Sequence, residues 1–415
     1  MHHQELIPHL FRTEFRKITA VLTGRFGIGF LENAEDIASE TFLTAFETWP
    51  YKGVPENPTA WLYTVAKNKA SNILVRNEIL QKKIFPELTK SGLEKIEIDI
   101  DLSEQNIADS QLQMLFAVCH PSISLEGQVG LSLRILCGFG IEEIADAFLT
   151  NRETINKRLY RAREKLREEK VRIELPGPKE IGNRLDAVLT TIYLLFSEGY
   201  FSESSDQVIK EELCLEAMRL NMQLINNELT NLPRVNALMA LMCFQSSRFA
   251  ARKDDHEEII LYKDQDESLW NRELIAQGAF FIKQASTGNQ LSRYHIEAGI
   301  AFWHTVKADS LEKWESILQL YNRLLQLIYS PIAALNRSYA FSKVYGKARA
   351  IEEAESLALN DNRYYFLLLG ELYKGMDDKI AEGHFRQAYN LSRSESERRA
   401  IQSHLDEFNS LSRAS

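Results

Sequence analysis

Apolar residues recur along this chain mostly at intervals of three and four, the spacing that lines one face of an α-helix. Leu6, Leu10, Phe11, Phe15, Ile18 and Leu22 form the first such row. Gly24, Gly27 and Gly29 interrupt it. A second helix is predicted from Asn33, with Asn33 as its N-cap and Glu35 and Asp36 in the first turn, where carboxylates complement the helix dipole. Ile37, Phe42, Ala45 and Phe46 carry it to Trp49. Pro50, Gly53, Pro55 and Pro58 then predict a loop. A third helix follows from Thr59 or Ala60, marked by Trp61, Leu62, Val65, Ala66, Ala70, Ile73 and Leu74.

From Glu87 to Asp109 the periodicity weakens. Glu94, Glu97, Asp99, Asp101, Glu104 and Asp109 accumulate there, which reads as an acidic linker. Residues 110–172 return to helical spacing and end in a strongly charged helix. Pro176-Gly177-Pro178 reads as a hinge. Beyond it the helical pattern continues to Ser415, with loops near residues 202–205, 253–257 and 286–289. Near the end Leu335, Tyr339, Ile351, Ala354 and Leu357 are matched 34 positions later by Leu369, Tyr373, Phe385, Ala388 and Leu391. A 34-residue period of paired helices is the tetratricopeptide signature. The predicted fold class is all-α. Ten prolines and 19 glycines in 415 residues are few enough to agree with it, and the length calls for two to three domains.

The net charge of -9 argues against a uniformly basic nucleic-acid-binding surface, so the distribution of charge decides. Between Arg152 and Arg172 nine Lys and Arg (152, 157, 158, 161, 163, 165, 167, 170, 172) face four Glu (153, 164, 168, 169), a local excess of +5. That is the footprint of a phosphate-contacting module. Its frame is a helix-turn-helix. Ile144, Ala145, Phe148 and Leu149 make the apolar face of a first helix, and Thr150-Asn151-Arg152 turns the chain. Ile155 and Leu159 anchor a second helix. In this geometry the start of the second helix meets base edges, so Arg152, Glu153, Asn156 and Lys157 are the candidate reading residues. Arg158, Arg161, Arg163 and Lys165 are candidates for phosphate contact.

Other chemistries find no support. Cys119, Cys137, Cys214 and Cys243 show no metal-ligand spacing and sit among apolar residues, as buried thiols in a reducing compartment do. No phosphate-binding Gly loop, HExxH or nucleophile elbow is present, so the chain is not expected to be an enzyme, and neither a cofactor nor a metal is expected. No basic segment precedes an apolar run at the N-terminus, and no stretch reaches about 18 apolar residues. A cytoplasmic protein without membrane contact is expected.

Ala34-Glu-Asp-Ile-Ala-Ser-Glu-Thr-Phe-Leu43 and Trp61-Leu-Tyr-Thr-Val-Ala-Lys-Asn-Lys-Ala-Ser-Asn-Ile-Leu74 resemble region 2 of extracytoplasmic-function sigma factors, and the helix-turn-helix resembles their region 4. Trp49–Leu62, Cys119-His120-Pro121, Ile192–Tyr200, Asp264–Trp270 and Pro331–Arg337 resemble a subgroup with a long C-terminal extension. The resemblance implies region 2 at residues 4–80, a linker at 81–109, region 4 at 110–173 and a tetratricopeptide-like regulatory domain at 180–415. It implies promoter DNA and core RNA polymerase, through the β′ clamp helices and the β flap, as partners. Asn68 matches the position that contacts the flipped −10 base, with Asn72 one turn on and Lys67, Lys69 and Arg76 along the single strand. Arg152, Glu153, Asn156, Lys157, Arg158 and Arg161 fall to the −35 element, and Asp36 and Glu40, beside Glu35, to the polymerase. Trp49 and Trp61 are expected in the core rather than stacked on bases. The resemblance also implies that the C-terminal domain contacts and modulates the sigma core. A helix-turn-helix regulator that is not a sigma factor is the alternative; it leaves the Trp49–Asn77 match unexplained.

Overall fold

The computed structural model describes residues 3–84, 100–148, 150–201, 207–252, 260, 262, 265–392 and 395–414. The fold is all-helical, with no strand among the described residues. The chain divides into two compact units, residues 1–231 and 232–415.

The first unit opens with α1 (His3–Phe26), α2 (Leu31–Lys52) and α3 (Pro58–Ile84). They close around Phe15, Ile18, Leu22, Ile37, Phe42, Trp49, Leu62 and Ala66. Two boundaries differ from the expected ones. Gly27, at φ 86°, ends α1, and a 3₁₀ turn over Ile28–Phe30 feeds straight into α2, where the Leu31 N–H donates to the Ile28 carbonyl. The turn satisfies the helix start, so Asn33 lies inside α2 rather than capping it. Pro50 does not end α2 either. It stands in the last turn, where a missing N–H costs a single helix bond, and the helix stops only at Gly53 (φ 85°), whose N–H reaches the Trp49 carbonyl at 3.0 Å. Pro58 occupies the first position of α3, where its fixed φ suits the helix.

The next helix, α4 (Glu104–Val118), begins inside the stretch expected to be a linker. Asp101 accepts from the Ser103 N–H at 2.9 Å, and Ser103 caps α4. This exposed acid therefore ties the chain into the start of α4. Ile100, Leu102 and Ile107 join the core of the α1–α3 bundle. Residues 85–99 lie outside the described part.

α5 (Leu125–Leu131) runs on into a π-helical segment, Ser132–Cys137, before α6 (Ile141–Ala147) and α7 (Arg152–Glu168). α8 (Pro178–Phe201) and α9 (Gln207–Ile225) form an antiparallel hairpin that packs on α4, α5 and α6. The segment expected to be a hinge therefore opens α8, with the Gly177 carbonyl accepting from Ile181 at 3.0 Å. The break between compact units comes after Asn231.

The second unit is a run of helices, α10 (Pro233–Ser246), α11 (Arg272–Ala285), α12 (Arg293–Trp303), α13 (Leu311–Leu327), α14 (Pro331–Tyr345), α15 (Lys347–Ser356), α16 (Arg363–Tyr373), α17 (Asp378–Leu391) and α18 (Glu395–Ala414). From α12 onward each packs on the next. Leu335, Ile351, Ala354, Leu369, Phe385 and Ala388, positions of the 34-residue repeat, all enter one apolar cluster. Gly370 lets α16 and α17 approach closely: a Cβ there would lie 2.9 Å from the Phe385 ring.

Candidate nucleic-acid interface

The segment expected to form a helix-turn-helix folds as α6, a turn and α7. In α6 the Glu143 carboxylate accepts from the Gly140 N–H at 2.6 Å and fixes the helix start. Ile144, Ala145 and Ala147 are buried. The Thr150 N–H donates to the Ala145 carbonyl at 2.9 Å, which tightens the turn. Leu149, expected on the apolar face, lies outside the described residues. The Asn151 side chain accepts from the Thr154 N–H at 2.8 Å and starts α7.

Ile155, Leu159, Ala162 and Leu166 recur at helical spacing and bury one side of α7. Two glycines of α5 receive that side. A Cβ on Gly127 would stand 3.2 Å from the Ala162 Cβ, and one on Gly130 would stand 3.3 Å from Leu159 Cδ2.

With that stripe buried, the other side of α7 faces outward. Arg152, Glu153, Asn156, Lys157 and Arg161 are exposed and Arg158 is half-buried. Lys157, Arg158, Arg161 and Lys165 line a groove of about 530 Å³ with Ser122, Ser124 and Thr154. Arg152 pairs with Glu142 at 3.2 Å and Lys157 with Glu153 at 2.7 Å. Exposed pairs of this kind contribute about 0–1 kcal/mol, so both cations can give up these partners at little cost.

Arg163 departs from the expectation of phosphate contact. It points back toward α2 and donates to Glu35 Oε2 at 2.6 Å, while Arg134 Nε donates to Glu35 Oε1 at 2.9 Å. Glu35, only 6% exposed, is therefore a buried ion-pair partner and not part of an outward docking face. Its neighbours Asp36 and Glu40 are exposed.

On α3, Leu62, Ala66 and Ala70 pack inward, which leaves Asn68 and Asn72 exposed one turn apart. Lys67 and Lys69 flank them half-exposed, and Lys69 pairs with Glu40 at 3.1 Å. The side chain of Arg76 lies outside the described part. Trp49 is buried and meets Trp61 edge-on, ring centroids 5.4 Å apart, so both serve packing as expected.

Sequence reasoning missed one feature of α2. Leu43 (55% exposed), Phe46 (66%) and Tyr51 (91%) stand out beside Asp36, Glu40 and Glu47. The available signal was the apolar content of α2, which exceeds what a single buried stripe can take.

No three His, Cys, Asp or Glu side chains converge as a metal site would need, and no helix is long and apolar enough to cross a membrane, both among the described residues. Cys119 is buried, 3.9 Å from the Ser132 hydroxyl, and His120 bonds Ser122 at 2.8 Å, so this motif serves the fold.

Residues 10–78 match the family model of sigma-70 region 2, which identifies the α1–α3 bundle as such a domain and supports a sigma-70 family sigma factor, with core RNA polymerase and promoter DNA as its implied partners. Residues 184–286 match a family of unknown function (DUF6596). An uncharacterized protein of Rhizobium meliloti (strain 1021) is 33% identical over 383 residues, covering 91% of this chain and 90% of that protein, and the chain belongs to the same family. No solved structure matches.

Proposed function

We propose that the chain is a sigma factor of the extracytoplasmic-function class with a tetratricopeptide-like C-terminal domain that modulates it. One observation carries the reading: a single compact unit joins a sigma-70 region 2 domain to a helix-turn-helix whose second helix turns a basic face outward. In this reading the exposed acidic and apolar face of α2, with Asp36 and Glu40, docks on the β′ clamp helices. Asn68 and Asn72 on α3 take the flipped −10 base, an event that costs a few kcal/mol of stacking. Lys67, Lys69 and Arg76 follow the single strand.

The start of α7 enters the major groove of the −35 element. Arg152 and Asn156 are suited to guanine and adenine edges. Arg158 and Arg161 hold phosphates, which position without specifying. The chain supplies promoter choice, and the chemistry stays with the polymerase; it is not itself an enzyme and acts in the cytoplasm. The helical hairpins with a 34-residue period support the tetratricopeptide-like assignment of the second unit.

Run-off transcription with core polymerase and a promoter library tests the reading. Initiation that requires this chain, and that weakens with Asn68→Ala or Arg152→Ala, is expected. Absence of core binding would reject it.

A further inference from the structure

The first unit holds the region 2 bundle and the helix-turn-helix together by buried and half-buried charges. Glu35 on α2 is gripped by Arg134 and Arg163, both from the helix-turn-helix side. Beside it Arg167 on α7 pairs with Glu32 at 3.0 Å. A carboxylate this buried has no water to replace a lost partner, so both guanidiniums must stay or the module must open.

The α8–α9 hairpin fastens the same two modules from another side. Arg12 on α1 bridges Glu143 of α6 and Glu212 of α9. Arg16 on α1 pairs with Glu216 of α9 at 2.6 Å, and Arg219 of α9 donates to the Leu136 carbonyl at 2.6 Å. Region 2, the helix-turn-helix and the hairpin are thus three parts of one closed body.

Closure limits how far apart the two reading surfaces can be. A path from Asn68 runs through Lys69 to Glu40, along α2 to Glu35, across to Arg163 and along α7 to Asn156. With 1.5 Å rise per helical residue and side-chain bonds near 1.5 Å, the whole path measures at most roughly 55 Å. The −10 and −35 elements are about 25 base pairs apart by position, roughly 85 Å on straight duplex at 3.4 Å per pair. The closed body cannot span them.

We propose that the α8–α9 hairpin clasps the sigma modules in a closed, promoter-incompetent state latched at Glu35, and that initiation requires this latch to open. The proposal rests on the sigma-factor reading and assigns its control to a specific contact. Asp36 and Glu40 stay exposed in the closed state. Core polymerase can therefore dock before opening, and only joint engagement of the −10 and −35 elements waits for it.

A reversible lock tests this. A Cβ built on Gly24 of α1 lies 3.8 Å from the Ser110 Cβ of α4, the mean Cβ separation across a disulfide, about 3.8 Å. The four native cysteines are buried and do not compete. Full-length Gly24→Cys/Ser110→Cys is oxidised, then assayed for core pull-down and run-off transcription, with and without dithiothreitol. Retained core binding with at least tenfold less transcript, restored by dithiothreitol, is expected, with the wild type indifferent to reductant. Oxidised protein initiating as well as reduced protein would overturn the latch. No core binding by any form would overturn the sigma reading, and the latch with it. In parallel, Arg134→Gln removes one grip on Glu35 without touching either reading face. A severalfold rise in transcript at equal protein is expected; transcript at or below the wild-type level with unchanged helicity would count against the proposal.

Discussion

The basic face of α7 makes a quantitative prediction for DNA binding. Lys157, Arg158, Arg161 and Lys165 line the groove, and the two lysines hold only surface carboxylates that phosphates can replace. Four neutralised phosphates give a slope of log affinity against log salt of about −3.6, or roughly a 50-fold loss between 0.1 and 0.3 M salt. Arg161→Ala should flatten the slope to about −2.7 and the loss to roughly 20-fold. Arg163→Ala should leave the slope where it was, because that guanidinium is committed to Glu35. Fluorescence anisotropy of a labelled duplex, titrated with the full-length chain across a salt series, measures both. An unchanged slope in Arg161→Ala, or an equal flattening in Arg163→Ala, would refute the assignment of the outward face. Charge count alone could not make this distinction, since both arginines belong to one run of helix.

Replacing Phe46 and Tyr51 together by Ala should weaken core-polymerase binding at least tenfold in a pull-down titration while the melting midpoint stays put, since both side chains are exposed; a lowered midpoint would mean that they pack. Gly278→Ala places a Cβ 2.5 Å from the Phe244 ring. Overpacking should outweigh the gain in helix propensity and cost about 1–2 kcal/mol in urea unfolding, and a stabilised variant would refute the close approach of α10 and α11. Burial, then Arg248 and Lys313, holds the His304 imidazole down to a pKa of about 3, against 6.5 ordinarily. The unfolded chain thus takes up a proton that the folded chain refuses, so the stability from His304 is full above pH 6.5 and is lost as pH falls toward 3. His304→Gln should flatten the pH dependence of unfolding in that window, and an identical slope would refute the neutral buried state.

Helix content was legible from periodicity because an amphipathic helix must repeat its apolar positions every three or four residues to bury them, whatever it packs against. The pairing of α6 and α7 was legible for the same reason, with Ile155 and Leu159 as anchors and Lys157, Arg158 and Arg161 turned away from them. The region 2 candidates Asn68 and Asn72 could be placed on one face of a helix from their spacing alone. Caps and breaks were less secure, because Asn33, Pro50 and Asp101 each allow more than one local solution and the surrounding chain selects among them. Which charges face solvent was not encoded locally at all. Glu35 and Asp36 are adjacent in the chain, yet one is locked between two arginines 99 and 128 residues away and the other is exposed. Arg161 and Arg163 divide in the same way. Periodicity specifies which side of a helix is apolar, but only the packing of modules distant in sequence decides which polar groups find partners, and here that packing separates the cations left on the outward face of α7 from those committed to buried carboxylates.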